Sequence, residues 1–254
     1  TLASVVAVSG AAAASAAGRV TNPVLRFLLA MFNVRLGYWT PNPRRVAAGE
    51  FATASARLLK RPDPGTLYLL KEMTGLVHQD GWLVNLSDGG HVENLGVYEL
   101  LRRRCRLIVA VDAEQDAAMS YASFGDVVRF AQIDMALKIE IDLDGLRLRE
   151  EADGYVDKTP VSRRHYAIGT IEYPERPGDP LEPRAFTGVL VYVKTSLCAD
   201  DPEEIWKYKA THPAFPHDPT VADQFFDEEQ FEAYRALGYE AIASLLWDMK
   251  DRGI

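Results

Sequence analysis

Short apolar runs and amphipathic stretches alternate along the first half of the chain, which indicates an α/β organisation. Residues 2–8 are apolar and β-branched, as in a strand buried on both faces. Residues 82–86 and 107–111 form two further apolar runs, and we predict a second buried strand at 107–111. Helices are predicted at residues 11–17, from Val24 to about Asn33, at 47–59 and at 95–104.

The stretch between residues 82 and 111 has the order strand, glycine turn, helix, strand. This order is typical of a βαβ unit and predicts a parallel sheet. Ligands bind such sheets at the carboxyl ends of the strands, and Asp88 falls at one of these ends. The first part of the chain, residues 1–116, is therefore predicted to be a three-layer α/β core with a mostly parallel sheet.

The pattern changes after Asp116, and residues 117–254 are predicted to form an α+β extension packed on the core. Helices are expected at 124–140, from Pro202 to about Lys209, at 225–237 and at 239–250. Strands are expected at 139–143, 166–173 and 189–197, either as an antiparallel edge of the sheet or as a small separate layer. Residues 212–219 contain three prolines and are predicted to be irregular.

Composition excludes several classes of function. Apolar residues make up 48% of the 254 residues and charged residues 25%, which are ordinary globular values. A net charge of −8 argues against a nucleic-acid surface. No stretch is apolar and long enough to span a bilayer. We expect no cofactor, and a location in the cytoplasm or at a membrane.

The segment from Ser87 to Gly96 is the densest polar cluster in the chain and carries the candidate chemistry. Asp88 stands at a strand end in a glycine turn, which suits a proton-transfer group, although an aspartate that caps its own turn has the same sequence. Paired glycines, Gly89 and Gly90, permit a positive φ or a close approach to a ligand.

Other polar groups offer weaker alternatives. A metal site at His91, Glu93 and Asp112 has no diagnostic spacing, and we predict no bound metal. Asp142 and Asp144 are expected in an ordinary loop, since the calcium-loop pattern is incomplete. His212 and His217 are expected in a fixed structural loop rather than in a pocket. Phe225, Phe226 and Phe231 have helical spacing and are expected in the core rather than in contact with lipid.

The run Leu86-Ser-Asp-Gly-Gly-His-Val-Glu-Asn-Leu-Gly-Val-Tyr-Glu-Leu-Leu-Arg-Arg-Arg-Cys105 resembles a bacterial branch of the patatin-like phospholipases. The similarity extends to Val8-Ser-Gly-Ala-Ala-Ala-Ala-Ser15 and Phe32-Asn-Val-Arg-Leu-Gly-Tyr-Trp39. It also includes His212-Pro-Ala-Phe-Pro-His-Asp-Pro219 and Asp223-Gln-Phe-Phe-Asp-Glu-Glu-Gln-Phe231, so it covers nearly the whole chain.

This resemblance implies a Ser–Asp dyad that hydrolyses lipid acyl esters, without a cofactor, on a patatin-like αβα core. Asp88 matches the catalytic aspartate, and Gly89 and Gly90 match the motif glycines. The family's Gly-x-Ser-x-Gly elbow does not occur in these 254 residues. We therefore expect the nucleophilic serine to lie upstream of Thr1. Ser9, between a predicted strand and helix but flanked by alanines, is the alternative nucleophile.

Three classes of function follow from the sequence. The first is a phospholipase-like hydrolase of phospholipid or another lipid ester, to which this chain contributes the aspartate, with membrane association through the parent protein. By itself, the chain is then expected to be inactive. The second is a catalytically silent module that binds lipid or a partner with a hydrolase-like fold. The third is a structural domain joined to a membrane-embedded part of the parent.

Overall fold

The computed structural model describes residues 37–50, 66–149, 159–179, 182–219 and 225–251, together with positions 24, 27 and 28. The predicted strand at 2–8, the predicted helix at 11–17 and Ser9 lie outside the described residues. So do residues 51–59 of the predicted helix at 47–59. The chain forms two compact units, Thr1–Asn94 and Leu95–Ile254.

The first unit contains β1 (Tyr38–Pro41), α1 (Pro43–Ala47), α2 (Thr66–Thr74) and β2 (Leu83–Leu86). β1 and β2 pair antiparallel, with Tyr38 opposite Leu86. Three buried side chains, Trp39, Tyr68 and Leu83, form its described core. The indole Nε1 of Trp39 donates a 2.8 Å hydrogen bond to the buried carboxylate of Glu72 on α2, which ties the helix to β1.

The second unit is built on a four-stranded sheet. Its elements are α3 (Val97–Arg102), β3 (Leu107–Asp112), α4 (Ala122–Met135), β4 (Lys138–Ile141), β5 (Tyr166–Tyr173), β6 (Phe186–Lys194), α5 (Glu203–Thr211) and α6 (Glu228–Asp251). The strand order is β3-β6-β5-β4. β3 runs parallel to β6, whereas β5 is antiparallel to both β6 and β4.

The protein is thus a mixed α/β structure, but its described sheets are mostly antiparallel. The predicted βαβ unit is not seen among the described strands, where β2 pairs with β1 and β3 pairs with β6. β5 and β6, which are consecutive along the chain, pair antiparallel over their whole length, from Tyr166 opposite Val193 to Tyr173 opposite Phe186. Of the two arrangements left open for the strands after Asp116, the structure shows the antiparallel edge, since β5 and β4 extend the sheet of β3 and β6.

Helices contact both faces of the four-stranded sheet. On one face, side chains of α3 and α4 such as Leu101 and Val127 pack against Ile108 of β3 and Tyr192 of β6. On the other face, Ala241 and Leu245 of α6 pack against Tyr166, Val191 and Val193. A third cluster joins α5 to α6 around the fully buried Phe215. Asp116, the predicted boundary between the core and the extension, lies inside this second unit. The division of the chain into residues 1–116 and 117–254 stays a prediction.

Three further details depart from the sequence predictions. β3 is not buried on both faces, since Leu107, Val109 and Val111 are 62%, 51% and 61% exposed. The two predicted closing helices form one continuous helix, α6, which passes through Gly238. The predicted helix at 124–140 ends at Met135, because Ala136 takes a left-handed φ of 53° before β4 begins.

Gly169 of β5 is required by the packing of its neighbour strand. A Cβ atom at this position would lie 2.5 Å from the backbone oxygen of Glu140 and 2.6 Å from the Cβ of Ile141. Both contacts are shorter than real Cβ atoms tolerate. Only glycine therefore allows β4 to pair this closely with β5.

Candidate functional site

Asp88 lies two residues beyond β2, where the chain leaves the strand and enters a 3₁₀ turn over Gly89–His91. Its backbone is extended, with φ −58° and ψ 134°, and its side chain caps the turn. The Oδ1 atom accepts a 2.8 Å hydrogen bond from the backbone N–H of Gly90. Within the described part of the chain, no hydrogen bond reaches the second oxygen, Oδ2. The half-buried carboxylate is thus fixed by one oxygen and open at the other.

The two motif glycines have different structural roles. Neither has a positive φ, so of the two possibilities that the sequence left open, left-handed backbone does not apply here. A Cβ at Gly90 would lie 2.6 Å from Oδ1 of the Asn94 side chain and 3.3 Å from Oδ1 of Asp88. A Cβ at Gly89 would meet no atom of the described residues within 4 Å. Gly90 therefore allows a close approach within the turn, whereas Gly89 faces open space.

The rest of the polar segment forms a local network. Ser87 Oγ lies 3.2 Å from Nδ1 of His91, one turn further along the chain. No group of three or more histidine, cysteine or acidic side chains suitable for a metal ion occurs among the described residues. Asp112, the third member of the suggested metal cluster, is instead engaged by a buried lysine. The structure thus offers the metal alternative no support at the described positions.

Asp112 and Lys194 form a buried ion pair at the carboxyl ends of the parallel strands β3 and β6. The Lys194 ammonium has no exposed surface and donates to Asp112 Oδ1 at 2.7 Å and to the Glu114 carbonyl oxygen at 3.2 Å. Tyr192 donates its hydroxyl to Asp112 Oδ2. Burial and the Asp112 carboxylate raise the pKa of Tyr192, which keeps this hydroxyl protonated. Sequence reasoning missed Lys194, although a lysine ending an apolar strand was a visible signal.

His217 lies near this ion pair, in the irregular segment 212–219. Burial and the positive charge of Lys194 lower the pKa of His217, while a hydrogen bond with the Glu114 backbone opposes the shift. The ring is therefore neutral at pH 7. Its Nδ1 is buried and has no hydrogen-bond partner among the described residues. The imidazole packs the loop against the strand ends and carries no identified catalytic role.

A second polar cluster has the connectivity of a Ser-His-Asp triad but is closed to solvent. His165 Nε2 lies 2.9 Å from Asp201 Oδ1, and Nδ1 lies 3.3 Å from Ser196 Oγ. The same Nδ1 is 3.1 Å from the carbonyl oxygen of Ser196, a contact that requires a proton on Nδ1. All three residues are at most 7% exposed. The cluster is thus a buried hydrogen-bond network without access for a substrate.

The acidic loop considered for calcium is held by protein groups. Asp142 Oδ1 accepts a 2.9 Å hydrogen bond from the Asp144 N–H, and Asp144 Oδ2 pairs with Arg149 at 2.7 Å. The three phenylalanines expected in the core, Phe225, Phe226 and Phe231, are 96%, 42% and 63% exposed, so that expectation is wrong for all three.

Comparison with known proteins identified no relative. A scan against protein-family models, a search of curated proteins and a search of solved structures each returned no match. Among the described residues, no helix is both long and apolar enough to cross a membrane. The geometry around Asp88 and the residue pattern of the motif are therefore the observations that bear on function.

Proposed function

We propose that this chain supplies the aspartate of a Ser–Asp dyad in a patatin-like hydrolase of lipid acyl esters. The observation that carries the proposal is the arrangement at Asp88. One carboxylate oxygen is held by the Gly90 N–H, and no described residue donates a hydrogen bond to the other. The resemblance of residues 86–105 to the family motif supports the same role. The patatin-like αβα core and the lipid-ester substrate belong to this proposal.

In the proposed reaction, a serine hydroxyl attacks the carbonyl carbon of the ester while Asp88 Oδ2 accepts its proton. The tetrahedral intermediate then expels the alcohol, which leaves with that proton, and an acyl-serine remains. Water attacks the acyl-serine in the second half, again with Asp88 as base. Release of the carboxylic acid restores the serine.

The serine is the part of the dyad that these 254 residues do not identify. No Gly-x-Ser-x-Gly occurs in the sequence, and we propose that polypeptide outside it contributes the nucleophile. Ser9 remains the alternative within the chain and lies outside the described residues. The hypothesis is therefore tested in the longer protein that contains this chain.

Replacing Asp88 with asparagine in that protein is expected to reduce turnover of a p-nitrophenyl acyl ester and of phospholipid vesicles by about 10²–10⁴-fold, the range that general bases contribute. The amide retains an oxygen that can accept the Gly90 N–H, so the melting temperature is expected to change little. Asp80→Asn, at an exposed aspartate of the same unit, is the matched control and is expected to retain turnover.

Near-normal turnover by the Asp88→Asn protein would show that this carboxylate is not the base. If the unsubstituted longer protein binds the vesicles but hydrolyses neither ester, the hydrolase proposal is wrong, and the catalytically silent binding module takes its place.

A further inference from the structure

A groove runs between α5 and α6 in the second unit, and its lining is apolar at the bottom and charged at the edge. Ile205 and Ala233 are buried beneath it, and Tyr208 and Ala236 form partly buried walls. The cavity has a volume of about 320 Å³, comparable to pockets that hold small organic molecules. Because the α6 side of the groove presents alanine methyl groups, the space between the helices stays unfilled.

The edge of the groove is acidic. Three exposed glutamates line it: Glu204 on α5 and Glu229 and Glu232 on α6. The only cationic side chain in the described lining is Lys207, and its ammonium pairs with Glu203 at 3.2 Å. Glu232 pairs with Arg235. Glu204 and Glu229 form no salt bridge with any described residue, although the Arg235 guanidinium is close enough to Glu204 to interact with its charge. Four glutamates, with Glu203 included, are therefore balanced by only two cationic side chains, and the edge of the groove keeps a net negative charge.

We infer that the α5–α6 groove is a binding site for small organic cations that carry an aliphatic body. The hydrocarbon part fits the floor formed by Ile205, Ala233 and Ala236, where it is removed from water. The cationic head lies at the opening beside Glu204 and Glu229. A carboxylate or phosphate head on the same hydrocarbon is repelled by these groups and by the protein's net charge of −8. The inference does not depend on the proposed hydrolase activity.

The test is an NMR titration of the 254-residue chain at low ionic strength with three ligands of equal chain length: hexyltrimethylammonium, hexanol and hexanoate. Hexyltrimethylammonium is expected to shift the methyl signals of Ile205, Ala233 and Ala236 with a Kd on the order of 1 mM. Hexanol is expected to bind more weakly, and hexanoate to give no saturable shift. Addition of salt is expected to weaken binding of the cation, because the carboxylates are exposed.

Two variants and one control test whether the cation binds in the α5–α6 groove. The double variant Glu204→Gln/Glu229→Gln is expected to weaken cation binding about threefold or more, as for two exposed charge pairs. Ala236→Leu fills the groove and is expected to abolish binding, with the melting temperature showing that the fold persists. Glu175→Gln removes one charge from an exposed loop elsewhere and is expected to leave the affinity unchanged.

Equal binding of hexanoate and hexyltrimethylammonium would overturn the inference, because the groove would then select only for hydrocarbon. Unchanged affinity in the double glutamine variant, or no saturable shift up to 10 mM cation (about ten times the expected Kd), would overturn it as well.

Discussion

At the residue scale, the buried charge of Lys194 is compensated by one carboxylate, that of Asp112. The ammonium is wholly buried, and its ion pair with Asp112 also receives the Tyr192 hydroxyl and the Glu114 N–H. Removal of one charge from such a pair leaves the other charge buried and uncompensated. The resulting loss in the free energy of unfolding is far larger than that from loss of an exposed pair. From the sequence, Asp112 is considered only as part of a metal cluster that is not favoured. The ion pair is not foreseen, because Lys194 lies 82 positions away in the sequence.

Lys194→Met is expected to lower the free energy of unfolding by about 3–5 kcal/mol, measured by urea denaturation. The double variant Asp112→Asn/Lys194→Met should recover part of that loss, since no isolated charge remains. Lys207→Met is the control for lysine loss at an exposed pair, and it should change stability by less than about 1 kcal/mol. A similarly small effect for Lys194→Met would mean that the ion pair is solvated in solution.

At the scale of elements, strand β3 is apolar along nearly its whole length but is buried on only one face. The run Leu107–Asp112 is apolar almost throughout, which predicts a strand covered on both sides. In the structure its even positions contact α3 and α4, while its odd positions are more than half exposed. Among the described strands, β3 also lies at the edge of the four-stranded sheet. The presence of a strand at these residues was therefore predictable from the sequence. Which of its two faces is buried depends on the helices that pack against it.

This sidedness predicts opposite outcomes at adjacent residues of β3. Ile108→Thr places a hydroxyl in the core and removes apolar volume, so the free energy of unfolding should fall by about 2–4 kcal/mol. Val109→Thr is nearly isosteric at an exposed position and should change it by at most about 0.5 kcal/mol. Chemical denaturation of both variants gives the comparison. Equal losses at both positions would show that a further layer covers the odd face.

The whole molecule consists of two units whose described cores are separate. The three clusters that involve the four-stranded sheet, α5 and α6 contain only residues after Asn94. The cluster of Trp39, Tyr68 and Leu83 lies entirely in the first unit. The described part of the chain thus assigns each core to one unit, and the second unit has apolar packing on both faces of its own sheet.

A polypeptide of residues 95–254 is therefore expected to fold without the first unit. Circular dichroism should show mixed helix and strand content and a cooperative thermal transition, because the three clusters are retained. Ile108→Thr in this fragment serves as the control, and it should lower the transition temperature as it does in the full chain. A fragment with no cooperative transition would show that the first unit is required for the second to fold.

The local sequence determined several of the secondary-structure elements and turns of this protein. The apolar strands at 107–111 and 166–173, the irregular proline-containing segment and the capped turn at Asp88 follow from side-chain type and short-range geometry, which act within a few residues. Tertiary structure decided what depends on distant partners: the pairing of β3 with β6, the burial of Lys194 against Asp112, the exposed face of β3 and the groove between α5 and α6. These features depend on contacts between segments far apart in the chain, and a one-dimensional pattern does not specify which segments meet.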